Sequence, residues 1–134
     1  MTDTTPRLVT RTDFVTVPTQ DYEAAAAFYH GVLGLPLAKR WGNMPAGEFE
    51  TGSLTLAVME SAAFGMEFRP SGSAIALHVD DVPAARERLE AQGVTFRGEI
   101  LDSGVCLQAF FADPDGNPLI LHNRYAPEPP HIEV

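Results

Sequence analysis

Residues 74–93, AIALHVDDVPAARERLEAQG, read as a strand, a capped helix and a stop. Ile75, Leu77 and Val79 alternate with Ala74, Ala76 and His78, which is the period of an extended chain. Asp81 is placed to cap a helix, Pro83 stands in the first turn where its missing N–H is harmless, and Gly93 follows Gln92 as the stop. Residues 14–34, FVTVPTQDYEAAAAFYHGVLG, repeat this grammar. Phe14-Val15-Thr16-Val17 is short, β-branched and ends at Pro18; Asp21 is the cap, Glu23 sits in the first turn, and Gly34 closes a helix over residues 22 to 33. Asp21 and Asp81 stand 60 apart, Gly34 and Gly93 59, and Gly52 and Gly116 64. A register so nearly constant marks an internal duplication.

Each copy continues into three strands. In the first they run to Met59, broken by a loose loop from Trp41 to Pro45 and a tight turn at Glu50-Thr51-Gly52-Ser53. In the second they lie near residues 95–100, 105–112 and 118–123. The last two are joined by Asp113-Pro114-Asp115-Gly116-Asn117, whose two carboxylates are explained by turn chemistry. The sequence thus predicts an α+β protein of one domain: module 1 over about residues 8–60, a linker over 61–73, module 2 over about 74–125 and an extended tail over 126–134. The linker holds Gly65, Pro70, Ser71 and Gly72, but also Phe64, Met66 and Phe68. Three large apolar side chains are too many for a solvated linker, so part of it is expected to lie over the core or a pocket.

At 134 residues, 45% apolar and 20% charged, the chain has the makings of one ordinary hydrophobic core. Nine Lys plus Arg against 18 Asp plus Glu give a formal charge of -9, which repels phosphate backbones and anionic lipid, so neither nucleic acid nor a membrane is an expected partner. No apolar run approaches the roughly 20 residues of a membrane helix, and Met1 to Arg11 lacks the apolar centre of a secretory signal. The single cysteine, Cys106, leaves no intrachain disulfide and no zinc cluster of several thiolates. These features point to the cytoplasm.

Strand alternation then sorts the side chains. Val15 and Val17, like Ile75, Leu77 and Val79, should pack under the helices, against Ala25, Phe28 and Val32 of the first and Val82, Ala85 and Leu89 of the second. The other face presents Phe14 and Thr16 in copy one and Ala74, Ala76 and His78 in copy two. With Leu119 and Leu121 under the helix, Ile120, His122 and Arg124 join that second face. Pairing Phe110 with Ile120 across the last hairpin sets Gln108 opposite His122 and Cys106 opposite Arg124.

Taken together, Thr12 to Val17, Asp21 with Ala27-Phe28-Tyr29 and Val32 to Leu35, Leu77 to Val82, and Asp113 to Asn117 resemble the vicinal oxygen chelate superfamily, the glyoxalase, bleomycin-resistance and extradiol-dioxygenase group. The resemblance implies paired βαβββ modules whose curved mixed sheets form a cleft or barrel, and a homodimer in which modules of two chains pack together. In metal-using members, ligands come from the first and last strand of each module. The corresponding positions here are Phe14, Leu56, Ala74 and Ile120, none able to bind a metal. No cofactor is therefore expected.

Ala74 and Ala76 are small where a filled sheet face would favour bulk, which leaves volume for a ligand. The first functional reading is a metal-independent binding protein of the bleomycin-resistance kind, serving resistance or sequestration. It holds an apolar or aromatic small molecule through His78, Gln108 and His122, with an acidic surface that suits a cation. Phe14, Thr16, Leu56, Phe110 and Ile120 would line the cavity, with Cys106 and Arg124 at its end. On the loops, Trp41, Met44, Phe64 and Met66 would close over a ligand or pack in a dimer. The second reading is a lyase, isomerase or oxygenase that uses His78 and His122 as an acid-base pair or as ligands of an atypical divalent metal. The third is a stability-only partner domain, with an occluded cleft. Either Glu48 or Glu50 is positioned to face the cleft as a base, whereas Cys106 reads as an ordinary buried thiol.

Overall fold

A computed structural model describes residues 6–130. Module 1 comprises β1 (Phe14–Thr19), helix α1, β2 (Leu37–Arg40), β3 (Ala46–Glu50) and β4 (Thr55–Glu60); α1 is an α-helix over Tyr22–Ala26 and a π-helix over Ala27–Val32. Module 2 repeats the order with β5 (Ile75–His78), α2 (Val82–Ala91), β6 (Arg97–Asp102), β7 (Cys106–Ala112) and β8 (Pro118–Arg124). The sheets run β1-β4-β3-β2 and β5-β8-β7-β6, with the first and last strand of each module parallel and the other pairs antiparallel. This is the predicted α+β duplication. Residues 127–130 carry no regular structure, and the rest of the predicted tail lies outside the described residues.

The same device starts both helices. A carboxylate oxygen of Asp21 accepts from Ala24 N at 3.2 Å, and one of Asp81 accepts from Ala84 N at 2.9 Å, each satisfying a first-turn donor. The first helix then departs from the plain α-helix expected over 22–33. Leu33 N donates to Phe28 O at 2.9 Å, five residues back, so the helix widens. Widening turns the adjacent Phe28 and Tyr29 both inward, and both are buried. Strand β1 runs two residues past its expected end, through Pro18, which an edge strand tolerates because it need not donate to a ladder. Strand β6 begins later than expected because Phe96 turns into the core against Phe111, with ring centroids 5.0 Å apart.

Val17, Leu56, Val58 and Phe49 from sheet 1, Leu119, Leu121, Ala109 and Phe111 from sheet 2, and Tyr22, Ala25, Tyr29, Val82 and Leu89 from the helices form one continuous core. Leu56, expected in the cleft, is part of this core and pairs with Val15. Ala57 takes its expected place: it pairs with Thr16 as Ile120 pairs with Ala76. The error is one residue, which in a strand reverses the face.

The turn after β7 ties the modules together. Buried Asp113 accepts from Asp115 N and Asn117 N at 2.9 Å, from Asn117 Nδ2 at 2.8 Å, and from the Tyr29 hydroxyl of module 1 at 2.7 Å. Asn117 Nδ2 also donates to Pro18 O at 2.8 Å, Ser71 N donates to Asn117 Oδ1 at 2.8 Å, and Asp115 accepts from Gln20 N at 2.8 Å. Burial, then the Asp113 charge, pushes the Tyr29 phenol far above its ordinary value.

Candidate functional site

Parallel pairing of β5 with β8 and antiparallel pairing of β8 with β7 build the concave face of sheet 2 in rows. His78, His122 and Gln108 stand at one level across three strands, and Ala76, Ile120 and Phe110 at the next. Cys106 pairs with Arg124 beyond the histidine row. These are the rows the sequence predicted. His78 is exposed, while His122, Gln108, Phe110 and Ile120 are half-buried. One imidazole has a carboxylate beside it: His78 Nε2 lies 3.1 Å from Asp80 Oδ1. Gln108 makes no described hydrogen bond to either histidine. Arg124 is turned toward the tail, donating to Ala126 O at 3.1 Å and Pro127 O at 2.9 Å. Cys106 is buried and belongs to the wall as a packed thiol.

Sheet 1 offers a second concave face of different chemistry. Phe14, 53% exposed, shares it with Thr16, Pro18, Ala57 and Met59. Both Glu48 and Glu50 point to it, since they pair with Ala57 and Thr55. Glu48 Oε2 accepts from Trp41 Nε1 at 2.7 Å, and Glu50 accepts from the Thr55 hydroxyl at 2.9 Å. Trp41 meets Phe64 of the linker edge to face, with centroids 6.0 Å apart. Further along the linker, Met66 closes one side of a 410 Å³ cavity with Thr16, Pro18, Met59 and Ser61. Of the apolar linker residues, Met66 therefore lines a pocket, whereas Phe64 packs on Trp41. Sequence reasoning missed Met59 and Ser61, although the alternation that sets Ala57 on this face also sets Met59 there.

The structure gathers the predicted residues into two groups. Each concave face lies on the side of its sheet away from the shared core, so Phe14, Thr16, Trp41 and Met66 form one half-cleft and Ala76, His78, Gln108, Phe110, Ile120 and His122 the other. Ala74, exposed just before β5, borders the second. Phe14, Ala57, Ala74 and Ile120 carry no side-chain donor atoms. Among the described residues no three His, Cys, Asp or Glu side chains gather as a metal site. No helix among them is long and apolar enough to cross a membrane.

Comparison with known proteins agrees with this architecture. TnmS3, an antibiotic binding protein from Streptomyces sp. CB03234, is 26% identical, with a TM-score of 0.73 over 89% of this chain and 99% of its own. A glyoxalase/bleomycin resistance protein/dioxygenase from Nocardioides is 25% identical, with a TM-score of 0.71 over 96% of this chain and 93% of its own. Lactoylglutathione lyase from Agrobacterium tumefaciens shares the fold at 17% identity, with a TM-score of 0.71 over 87% of this chain and 95% of its own. No curated protein matches the sequence. The family profile of the Glyoxalase/Bleomycin resistance protein/Dioxygenase superfamily matches residues 11–121, and the chain belongs to that superfamily.

Proposed function

We propose that the protein is a metal-independent small-molecule-binding protein that sequesters an apolar or aromatic compound, as a resistance protein does. The observation that carries this reading is the open face of sheet 2. Ala76 and Ile120 offer apolar surface there, and His78, His122 and Gln108 stand beside them as hydrogen-bonding anchors. The likeness to an antibiotic binding protein supports it. The acidic pair Glu48 and Glu50 on the other half-cleft favours a ligand with a cationic group. In this proposal the working form is a homodimer, with sheet 1 of one copy closing over sheet 2 of its partner. Two half-clefts and two edge strands, β1 and β5, support that arrangement.

Trp41 is the only tryptophan and stands on the cleft, so its fluorescence reports ligand entry. Titration with bleomycin and with cationic planar dyes should give saturable quenching, and His122→Ala should weaken binding about tenfold. Stoichiometric iron, manganese, nickel or zinc in protein purified without added metal would sink the proposal. A second reading, acid-base catalysis, is favoured by the Asp80–His78 contact beside His122. It requires His122→Ala to abolish turnover rather than to weaken binding.

A further inference from the structure

The concave face of sheet 2 runs past the histidines to its far edge strand, β6. Leu101 pairs with Gln108 and Arg97 with Phe110, so the histidine row ends on Leu101 and the row of Ala76, Ile120 and Phe110 ends on Arg97. Phe96 is buried against Phe111, and the next side chain, Arg97, takes the opposite, concave face and is exposed. Between these two pairs β6 carries more residues than β7, and the excess is taken up in a bulge at Gly98, whose φ is 70°. Arg86 of α2 donates to Gly98 O at 2.9 Å, with its guanidinium 4.9 Å from the centroid of the Phe96 ring. The bulge is thereby held from the core side, and it ends the apolar row on a cation.

Register gives this face two arginines, and one of them is engaged elsewhere. Arg124 directs its donors to Ala126 O and Pro127 O. Arg97 makes no side-chain hydrogen bond or ion pair among the described residues. A guanidinium presents a planar fork of N–H donors that fits a carboxylate at two points. From Ala76 to Phe110 the row crosses two strand intervals, about 10 Å of apolar surface, which is a platform for a fused aromatic system. The net charge of -9 repels anions in general, so an anion held on this face needs the local cation that Arg97 supplies.

We propose that Arg97 is a specificity-determining residue of the cleft and that the ligand is an aromatic zwitterion. Its ring system lies on Ala76, Ile120 and Phe110, its carboxylate meets Arg97, and its cationic group faces Glu48 and Glu50 across the cleft. The inference rests on the small-molecule-binding reading and adds to it the charge pattern of the compound.

Rhodamine B and its ethyl ester test it, because these two fused-ring cations differ only in whether the carboxylate is free. Dye fluorescence anisotropy on the full chain should give rhodamine B a Kd about tenfold or more below that of the ester. Arg97→Gln removes the charge at an exposed position; it should keep the parent's urea-unfolding midpoint and bring the two dyes to within about twofold of each other. A parent that binds both dyes equally, or a Gln variant that keeps the parent's preference, overturns the zwitterion proposal and leaves small-molecule binding standing. A parent that binds neither dye at about 10⁻⁴ M overturns both.

Discussion

Replacing Tyr29 by Phe tests the junction between the modules with a single atom. The hydroxyl donates to Asp113 Oδ2 at 2.7 Å in a fully buried site, while the ring keeps its contacts with Phe28 and Phe49 at 5.3 and 6.0 Å. Asp113 retains three other donors, so the loss is one hydrogen bond to a charged acceptor, worth about 1.5–3 kcal/mol. For a chain of this length that lowers Tm by roughly 5–10 °C. The pH dependence is sharper. The folded state holds the phenol proton far above the ordinary value of 10.0, mainly through burial and then through the Asp113 charge. Below about pH 10 the phenol is protonated whether the chain is folded or not, and its full contribution is present. Above that the unfolded chain releases the proton while the folded one keeps it, so stability falls with rising pH by about 1.4 kcal/mol per unit. The Phe variant lacks that slope. Urea unfolding should therefore place the parent about 2 kcal/mol above the variant at pH 7, with the curves converging near pH 11.5. Parallel curves above pH 10, or a difference below about 0.5 kcal/mol at pH 7, would refute the account of this bond.

Gly47→Ala should cost about 1–3 kcal/mol in urea unfolding, because a Cβ there strikes the Tyr22 hydroxyl and comes within 3.2 Å of Leu37 Cδ1. The buried Tyr22 hydroxyl has no hydrogen-bond partner among the described residues, so Tyr22→Phe alone should be neutral or stabilising and should rescue much of the Gly47→Ala loss. On the concave face of sheet 2, Ala76→Phe adds a ring to an exposed position; Tm should move by less than about 2 °C. The same change should weaken quenching of Trp41 by bleomycin or dye about tenfold or more, and unchanged affinity would place the ligand elsewhere.

The fold was legible because its local signals are strong and repeated. Asp21 and Asp81 cap as their spacing predicts, and the turn at Asp113 to Asn117 anchors the hairpin so firmly that Gln108 falls opposite His122 without error. The strand after Gly52 gave no such anchor. Leu56, Ala57, Val58 and Met59 are all apolar, and the first three are fully buried, so hydrophobic alternation could not tell its faces apart and Leu56 was assigned to the wrong one. The π-helix was hidden for another reason: hydrophobic periodicity registers which residues turn inward, not whether a backbone bond closes four or five residues back. The bond from Tyr29 to Asp113 joins residues 84 apart, beyond the reach of any local rule. The histidine row was found from alternation and register. Its separation from Trp41 and Met66 onto another face was not, because which side of each sheet joins the common core is a tertiary fact.

The strict alternation of these strands has a consequence for how such a protein can change. On β7 and β8, Gln108, Phe110, Ile120 and His122 look outward, while Ala109, Phe111, Leu119 and Leu121 hold the core. Recognition and folding are written on alternate letters of the same segments. A randomised library confined to the outward letters would explore new chemistry while every layer of packing beneath it stays fixed, and the duplication supplies a second, independently variable wall of the same design. Such a scaffold can drift from one compound to another by single substitutions without first acquiring spare stability.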